Sequence, residues 1–159
     1  MSTDVTRSPG GGVPAGLGLN PQIIGQAENA LRALLERTLA STGLAYRHWV
    51  ALSVIAGSGT PVDESELVAR IEGVLKADEV AARGVIADLR AADVVQPVPD
   101  NRSLIRLTDA GRALHRDVRE AIGPIVSGLF RDIPADDLRT AGRVLTLVTD
   151  RADEALAGS

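Results

Sequence analysis

The sequence predicts a mostly α-helical protein with one small β-hairpin. Apolar residues recur every three to four positions over most of the chain, which is the period of an amphipathic helix. Two short strand-like runs, at 94–98 and 104–107, flank Pro99-Asp100-Asn101, a sequence typical of turns. The predicted order is helix, helix, short helix, helix, hairpin, long helix and helix. A helix-turn-helix followed by a β-hairpin is the winged-helix arrangement.

The first two helices have clear start and stop signals. Asn20 and Pro21 form an N-cap followed by proline at the first helical position, and this helix is expected to end near Gly43. A second helix is predicted from Ala45 to Ala56, before a Gly-Ser-Gly-Thr-Pro segment that breaks helices. The apolar positions of the first helix are Ile23, Ile24, Ala27, Leu31, Leu34, Leu35 and Leu39.

Cap residues also mark the later helices. Asp63 is predicted to cap a short helix, and a further helix is expected from about Asp78 to Ala92. Thr108 is predicted to cap a long helix, in which Gly123-Pro124 should cause a kink or an interruption. The last helix is expected to start around Pro134. The long terminal helices are too apolar to remain solvated, which predicts that a second copy of the chain covers them.

Composition excludes several classes of function. The 159 residues fit one folded domain, and 45% of them are hydrophobic. The absence of cysteine rules out disulfides, thiolate metal sites and cysteine nucleophiles. One Trp, one Tyr and one Phe are too few for the stacking platforms that bind single-stranded nucleic acid. No metal, cofactor or catalytic site is predicted, because His48 and His115 lie on different predicted helices and no nucleophile elbow or phosphate loop occurs.

The chain divides into four predicted segments. Residues 1–18, rich in Gly, Pro, Ser and Thr, are expected to be a disordered tail, and they lack the apolar core of a signal peptide. Residues 19–44 are predicted to form a dimerisation helix, residues 45–109 the winged helix-turn-helix, and residues 110–159 further dimerisation helices. No charge-free run reaches the roughly 20 residues that a membrane helix needs. A cytoplasmic protein without a membrane partner is therefore expected.

The segment Asp100–Arg112 combines an Asp-x-Arg element with a Leu-Thr-x-x-Gly junction between strand and helix. It resembles the wing of the MarR (multiple antibiotic resistance regulator) family of dimeric bacterial winged-helix transcription factors. Glu66–Ile71 is similar to that family's short helix before the recognition helix, Asp78–Val95 to its recognition helix, and Ile133–Leu138 to the start of its last helix. The resemblance covers the chain from about residue 19 to residue 156.

The resemblance implies a homodimer that binds double-stranded DNA at a palindromic site and is a regulator rather than an enzyme. Recognition helices would enter successive major grooves, and wings would reach the minor groove. Arg83 is the predicted base-reading residue, and Arg102, with Asp100 placed to brace it, is the predicted wing-tip residue. The other predicted DNA-binding residues are Asn101, Arg106 and Lys76.

The charge of the helix-turn-helix leaves an alternative open. Between Val62 and Asp93 there are eight acids and four bases, a net charge of −4, and the first turn of the recognition helix carries Glu79. Phosphate contacts by Lys and Arg supply most non-specific DNA affinity, and an acidic segment opposes them. The alternative is a winged-helix dimer with weak or lost DNA binding that acts as a ligand-binding or protein-interaction module.

Tyr46-Arg47-His48-Trp49 is the only polar and aromatic cluster. In the resembling family, small aromatic acids often bind next to this second helix. Arg47 or the Tyr46 hydroxyl could hold a carboxylate, and Trp49 could cover a ring. A small aromatic acid is therefore the candidate ligand. The alternative interpretation places Trp49 in the core and leaves its neighbours exposed.

Overall fold

A computed structural model describes residues 18–158 as six helices and a three-stranded sheet, which confirms the predicted mostly α-helical winged-helix fold. The helices are α1 (Pro21–Leu39), α2 (Tyr46–Ser58), α3 (Glu64–Leu75), α4 (Glu79–Ala91), α5 (Asp109–Leu129) and α6 (Ala135–Ala157). The strands are β1 (Val62–Asp63), β2 (Val95–Val98) and β3 (Asn101–Leu107). The predicted tail, residues 1–18, lies outside the described residues except for Gly18.

The helices begin where the predicted cap residues lie. Asn20 Oδ1 accepts a hydrogen bond from Ile23 N–H at 2.9 Å, and Asp78 Oδ1 accepts one from Ala81 N–H at 2.8 Å. Asp63 accepts backbone hydrogen bonds in the same way at the start of α3. Each cap satisfies a donor that the first helical turn leaves unpaired, and such a cap typically contributes about 1 kcal/mol.

The sheet is antiparallel with strand order β1-β3-β2. Strands β2 and β3 form the predicted hairpin, and the pair Val98–Asn101 closes its tip. The two-residue strand β1 was not predicted from the sequence. It pairs Val62 with Ile105 on β3, and both side chains are buried. The core lies between α2, α3, α4 and the sheet, and its fully buried large side chains include Leu52, Leu67, Ile71, Ile86, Leu89 and Ile105.

The Leu-Thr-x-x-Gly sequence joins the wing to α5. Thr108 Oγ1 accepts from Gly111 N–H at 2.9 Å and donates to the carbonyl oxygen of Asp93 at 2.7 Å. The Thr108 N–H donates to the carbonyl oxygen of Val94 at 3.1 Å. These bonds fix the start of α5 against the turn that follows α4. The hairpin therefore has a defined position relative to α4.

Helix α5 continues through Pro124 as one helix from Asp109 to Leu129, so the predicted interruption is absent. Proline removes only one backbone hydrogen bond from a helix, and here the helical turns before and after Pro124 are both formed. Helix α6 has no buried residue along its 23 positions. No helix in residues 18–158 is long and apolar enough to cross a membrane. The exposed large apolar side chains of the terminal helices and their connections are Leu19, Ile23, Leu31, Val126, Leu129, Phe130, Ile133, Val144, Leu145, Leu147, Val148 and Leu156.

Candidate nucleic-acid interface

Helix α4 presents a face of small, apolar side chains on the side opposite the core. Its buried residues are Ala82, Val85, Ile86 and Leu89. At about 100° per residue, the opposite face carries Val80, Gly84, Ala87 and Ala91. Val80 is 81% exposed. In a major groove such a face could approach base edges closely, but its side chains could contact only the thymine methyl groups.

Charged side chains beside this face form acid–base pairs. Arg83 Nε donates to Glu79 Oε1 at 2.8 Å, one turn earlier on α4. Arg90 reaches across to α3, where its Nη2 lies 2.5 Å from Glu64 Oε2. Both arginines of α4 are therefore paired with acids, and the net charge of −4 between Val62 and Asp93 already includes them. Exposed pairs of this kind typically contribute about 0.5 kcal/mol, so a phosphate or a base edge could displace the acid from Arg83.

Asp88 faces α2 and serves as an acceptor for a buried histidine. His48 is 6% exposed, and its Nδ1 accepts from Ala45 N–H at 2.9 Å, so the neutral ring carries its proton on Nε2. Nε2 lies 2.9 Å from Asp88 Oδ2 and donates to it. Arg47 Nη2 is 3.8 Å from the same oxygen. The His48 hydrogen bond, reinforced by the charge of Arg47, lowers the pKa of Asp88 below its ordinary value.

Asp88→Ala should lower the urea midpoint of unfolding, because it leaves the Nε2–H of buried His48 without an acceptor. Asp88→Asn retains a carbonyl oxygen and should recover most of the loss. The folded-state pKa of Asp88 is depressed, so the carboxylate's contribution is present above its unfolded pKa and is lost as the pH falls through the folded pKa. The difference between wild type and Asp88→Ala should therefore shrink in acid. Asp117→Ala, at an exposed ion pair on α5, is the control. A difference that does not depend on pH would contradict the assignment.

The wing tip is organised by Asn101. Its Oδ1 accepts hydrogen bonds from Ser103 N–H at 3.2 Å and from Ser103 Oγ at 2.7 Å. Asp100 lies in the exposed loop before β3, and no ion pair joins it to Arg102 or to any other residue of the described chain, so the predicted brace is absent. Arg102 instead lines a cleft of about 480 Å³ between the hairpin and the end of α4, and Arg90 lines the same cleft.

Arg106 and Lys76 lie away from this cleft and have other partners. Arg106 is at the α5 end of β3, opposite Gln96 in the strand register. With the Gln96 amide oxygen turned toward it, that oxygen lies 3.2 Å from Nε and 3.3 Å from Nη2. Lys76 Nζ lies 2.6 Å from Asp153 Oδ1 on α6. The structure thus brings Arg102 together with Arg90, and not with Arg106 or Lys76.

Several solved structures of winged-helix regulators share the fold of this chain. A MarR-family transcriptional regulator from Rhodococcus sp. RHA1 aligns over 80% of this chain and 91% of its own, with a TM-score of 0.65 and 18% identity. A mutant MarR from E. coli complexed with operator DNA aligns over 80% and 91%, with a TM-score of 0.64 and 21% identity. The chain has the MarR fold. CouR from Rhodococcus jostii RHA1, bound to p-coumaroyl-CoA, aligns over 80% and 88%, with a TM-score of 0.65 and 18% identity. No family model and no curated protein sequence matches the chain.

Within this MarR fold, the four predicted ligand residues have three different surroundings. The Tyr46 ring faces α1, where the Cζ atom of an arginine lies 5.6 Å from the ring centre. Arg47 and His48 face α4, and His48 is buried rather than exposed. Trp49 faces α5 and stacks on His115, with 5.0 Å between ring centres. Consecutive helical residues point about 100° apart, so the four side chains do not converge on one pocket.

The candidate interface also contains two residues whose surroundings were not predicted from the sequence. Arg90 was not among the predicted DNA-binding residues, although it lies two turns after Arg83 on the same side of α4. That spacing was the available signal. Asp88 was interpreted only as a charge on the polar side of the helix. No group of three or more metal-ligating side chains occurs within residues 18–158 that could hold a metal ion.

Proposed function

We propose that the protein is a homodimeric, DNA-binding transcriptional regulator that responds to a small molecule. The observation that carries the proposal is the exposed edge formed by α4 and the hairpin, where a small-residue helix face lies beside the cleft of Arg90 and Arg102. Two proteins of the same fold support it: a MarR bound to operator DNA and CouR bound to p-coumaroyl-CoA. As such a regulator, the protein would act in the cytoplasm of a bacterial cell and would catalyse no reaction.

The proposed DNA contact combines close approach with a few hydrogen bonds. The face of Val80, Gly84, Ala87 and Ala91 would enter the major groove and pack against thymine methyl groups. Arg83 flanks that face and would exchange Glu79 for a guanine edge, the base that arginine recognises best. Arg102 has no acidic partner within residues 18–158 and would enter the minor groove, where the potential of narrow A·T tracts is most negative. Asn101 would position the wing tip.

The dimer would form through the apolar surfaces of α1, α5 and α6. A second copy is the occupant that fits, because Leu145 of α6 already lines an apolar cleft of about 380 Å³ with α1 residues, and this surface continues along both helices. A two-fold axis would then place two α4 helices at the spacing of successive major grooves. Interfaces of this kind are large and apolar in obligate dimers.

Arg102→Ala should weaken binding to every duplex and reduce the salt slope by about one, because it removes one positive charge from the DNA-binding surface. Arg83→Ala should reduce the binding free energy on the preferred site by about 1–3 kcal/mol and relax the sequence preference at one position per half-site.

Glu79→Arg should tighten non-specific binding. Selection from random genomic fragments supplies the site, and gel shifts at several salt concentrations measure the effects. Arg139→Ala, on α6 and paired with Asp136, is the control. Equal DNA affinity of wild type and all variants would contradict the proposed DNA-binding surface.

A second candidate function is an interaction or ligand-binding module that does not bind DNA. The observation that favours it is that every basic side chain of α3, α4 and the turn between them has an acidic partner, in the pairs Arg70–Glu66, Lys76–Asp153, Arg83–Glu79 and Arg90–Glu64. A folded wild-type dimer that retards no duplex at low salt would exclude the DNA-binding regulator and favour this candidate.

The proposed small-molecule response keeps an aromatic acid as the ligand, but Tyr46, Arg47, His48 and Trp49 face three different elements and would not all contact it. His48 and Arg47 are engaged with Asp88, so Trp49 is the member of this group best placed to report a ligand. Its ring packs against the core and against His115, which lines a separate cleft.

A further inference from the structure

Helix α4 exposes an apolar side chain that the fold does not use. Val80, in its first turn, is 81% exposed, the highest exposed fraction of any large apolar side chain between residues 18 and 158. Gly84 follows one turn later, and nothing lies within 4 Å of a Cβ atom placed there. Val80 therefore contributes little to the core, and the space beside it is open to an apolar group of a partner.

An acid–base pair borders Val80 on the same helix. Arg83 Nε donates to Glu79 Oε1 at 2.8 Å, and both side chains are exposed. At about 100° per residue, Arg83 lies between Glu79 and Val80 around the axis of α4. The first turns of α4 thus present an acceptor, a donor and an apolar contact side by side. We call Glu79, Val80 and Arg83 the α4 triad.

A C·G base pair offers the matching groups in the major groove. Guanine presents the O6 and N7 acceptors that arginine recognises, and cytosine presents an N4 amino donor that a glutamate carboxylate accepts. When Arg83 turns to guanine, Glu79 loses its donor, and an unpaired carboxylate beside the DNA phosphates is unfavourable. The amino group of the paired cytosine replaces that donor. Thymine presents the acceptor O4 instead, so the α4 triad favours cytosine over thymine.

The ring carbon C5 of cytosine lies next to the carbon that bears the amino group, and it also faces the major groove. It carries a hydrogen atom in cytosine and a methyl group in 5-methylcytosine, at the position where thymine has its methyl group. Val80 directly follows Glu79 and has the apolar surface to cover such a methyl group. Burial of one methyl-sized group strengthens binding about fourfold. Unmethylated cytosine gives Val80 no such partner.

We propose that the α4 triad reads a 5-methylcytosine·guanine pair in each half-site, so that methylation of that cytosine at C5 tightens binding. Arg83 binds the guanine, Glu79 accepts a hydrogen bond from the cytosine amino group, and Val80 packs on the methyl group. Glu79 is then a specificity residue as well as a negative charge. This inference rests on the proposed function, because it states which base pair the DNA-binding surface recognises.

The test uses wild-type protein and the site selected from random genomic fragments, remade as synthetic duplexes whose binding is measured by fluorescence anisotropy. At each pyrimidine position of the half-site in turn, cytosine is compared with 5-methylcytosine, and deoxyuridine with thymidine. Each comparison adds one methyl group and leaves the paired purine unchanged. We expect one position at which 5-methylcytosine lowers the Kd about fourfold for each half-site changed, and at which it binds more tightly than thymidine.

Two variants separate the methyl contact from the amino contact. Val80→Ala should reduce the methyl effect to less than about twofold, because it removes the side-chain methyl groups that cover C5. Val74→Ala, at an exposed valine near the end of α3, is the matched control and should keep the full methyl effect. Glu79→Gln should keep the methyl effect but reduce the preference for C·G over T·A about tenfold, because an amide group both donates and accepts.

The outcomes distinguish this inference from the proposed function. Equal Kd values for cytosine and 5-methylcytosine at every position, or a methyl effect that survives in Val80→Ala, would overturn the reading by the α4 triad. Sequence-specific binding in the same assay would still uphold the regulator. A wild-type protein that binds no duplex at low salt, methylated or unmethylated, would exclude both proposals.

Discussion

Gly111→Ala is expected to reduce the free energy of unfolding by about 3 kcal/mol or more, which for a chain of this length lowers Tm by about 10 °C. A Cβ atom at position 111 would lie 1.9 Å from the carbonyl oxygen of Val94 and 2.9 Å from its carbonyl carbon. That backbone cannot easily move aside, because the same oxygen accepts the Thr108 N–H and the preceding Asp93 carbonyl accepts the Thr108 hydroxyl. Asp93 already has a φ of 58°, in the left-handed region. Glycine is therefore required at position 111 because the Val94 carbonyl leaves no room for a Cβ atom, and not because of its backbone conformation.

Gly84→Ala is the matched control, since it makes the same chemical change on a helix with free space. Nothing lies within 4 Å of an added Cβ at Gly84 in α4. Alanine is about 1 kcal/mol better than glycine inside a helix, so this variant should be slightly more stable than wild type. Thermal and urea unfolding at one fixed protein concentration compare the three proteins. A Gly111→Ala protein as stable as wild type would show that the Val94 turn relaxes and that the close contact is not essential.

The element boundaries could be predicted because the interactions that set them are local. Asn20, Asp63, Asp78 and Thr108 each accept a hydrogen bond from a backbone N–H two or three residues further on, and such pairs are visible in the sequence. Strand β1 could not be predicted in this way. Its two residues carry no strand pattern of their own and pair with residues of β3 more than 40 positions away.

The surroundings of the candidate site residues depend on contacts between distant parts of the chain. His48 meets Asp88 across 40 residues, and Lys76 meets Asp153 across 77. A count of acids and bases over α3 and α4 gives the net charge of this segment, but it does not show which acids the folded chain pairs with its arginines. Arg106 illustrates the same limit. The sequence places it beside the wing tip, but the fold directs it to α5.

The expected dimer rests on the apolar face of α6, which is visible in the sequence and is exposed in the structure. Leu138, Ala141, Leu145, Val148 and Ala152 recur at helical spacing, and the structure leaves none of them buried. Leu145 is 38% exposed and Val148 46%. The ion pair Lys76–Asp153 links α6 to the turn between α3 and α4.

Val148→Glu is expected to convert the dimer to a monomer, or to raise the dimer Kd at least about 100-fold, because each dimer would bury two uncompensated carboxylates in an apolar contact. Sedimentation velocity over a range of micromolar concentrations measures the Kd, and circular dichroism checks that the helices remain. Arg143→Glu, on the opposite side of α6, makes a larger change in charge and should leave the dimer intact. A stable dimer of Val148→Glu would show that the interface lies elsewhere. A monomeric wild-type protein would show that the proposed dimer does not form. The monomeric variant should also lose its preference for a palindromic over a single half-site, because one α4 reads only one half.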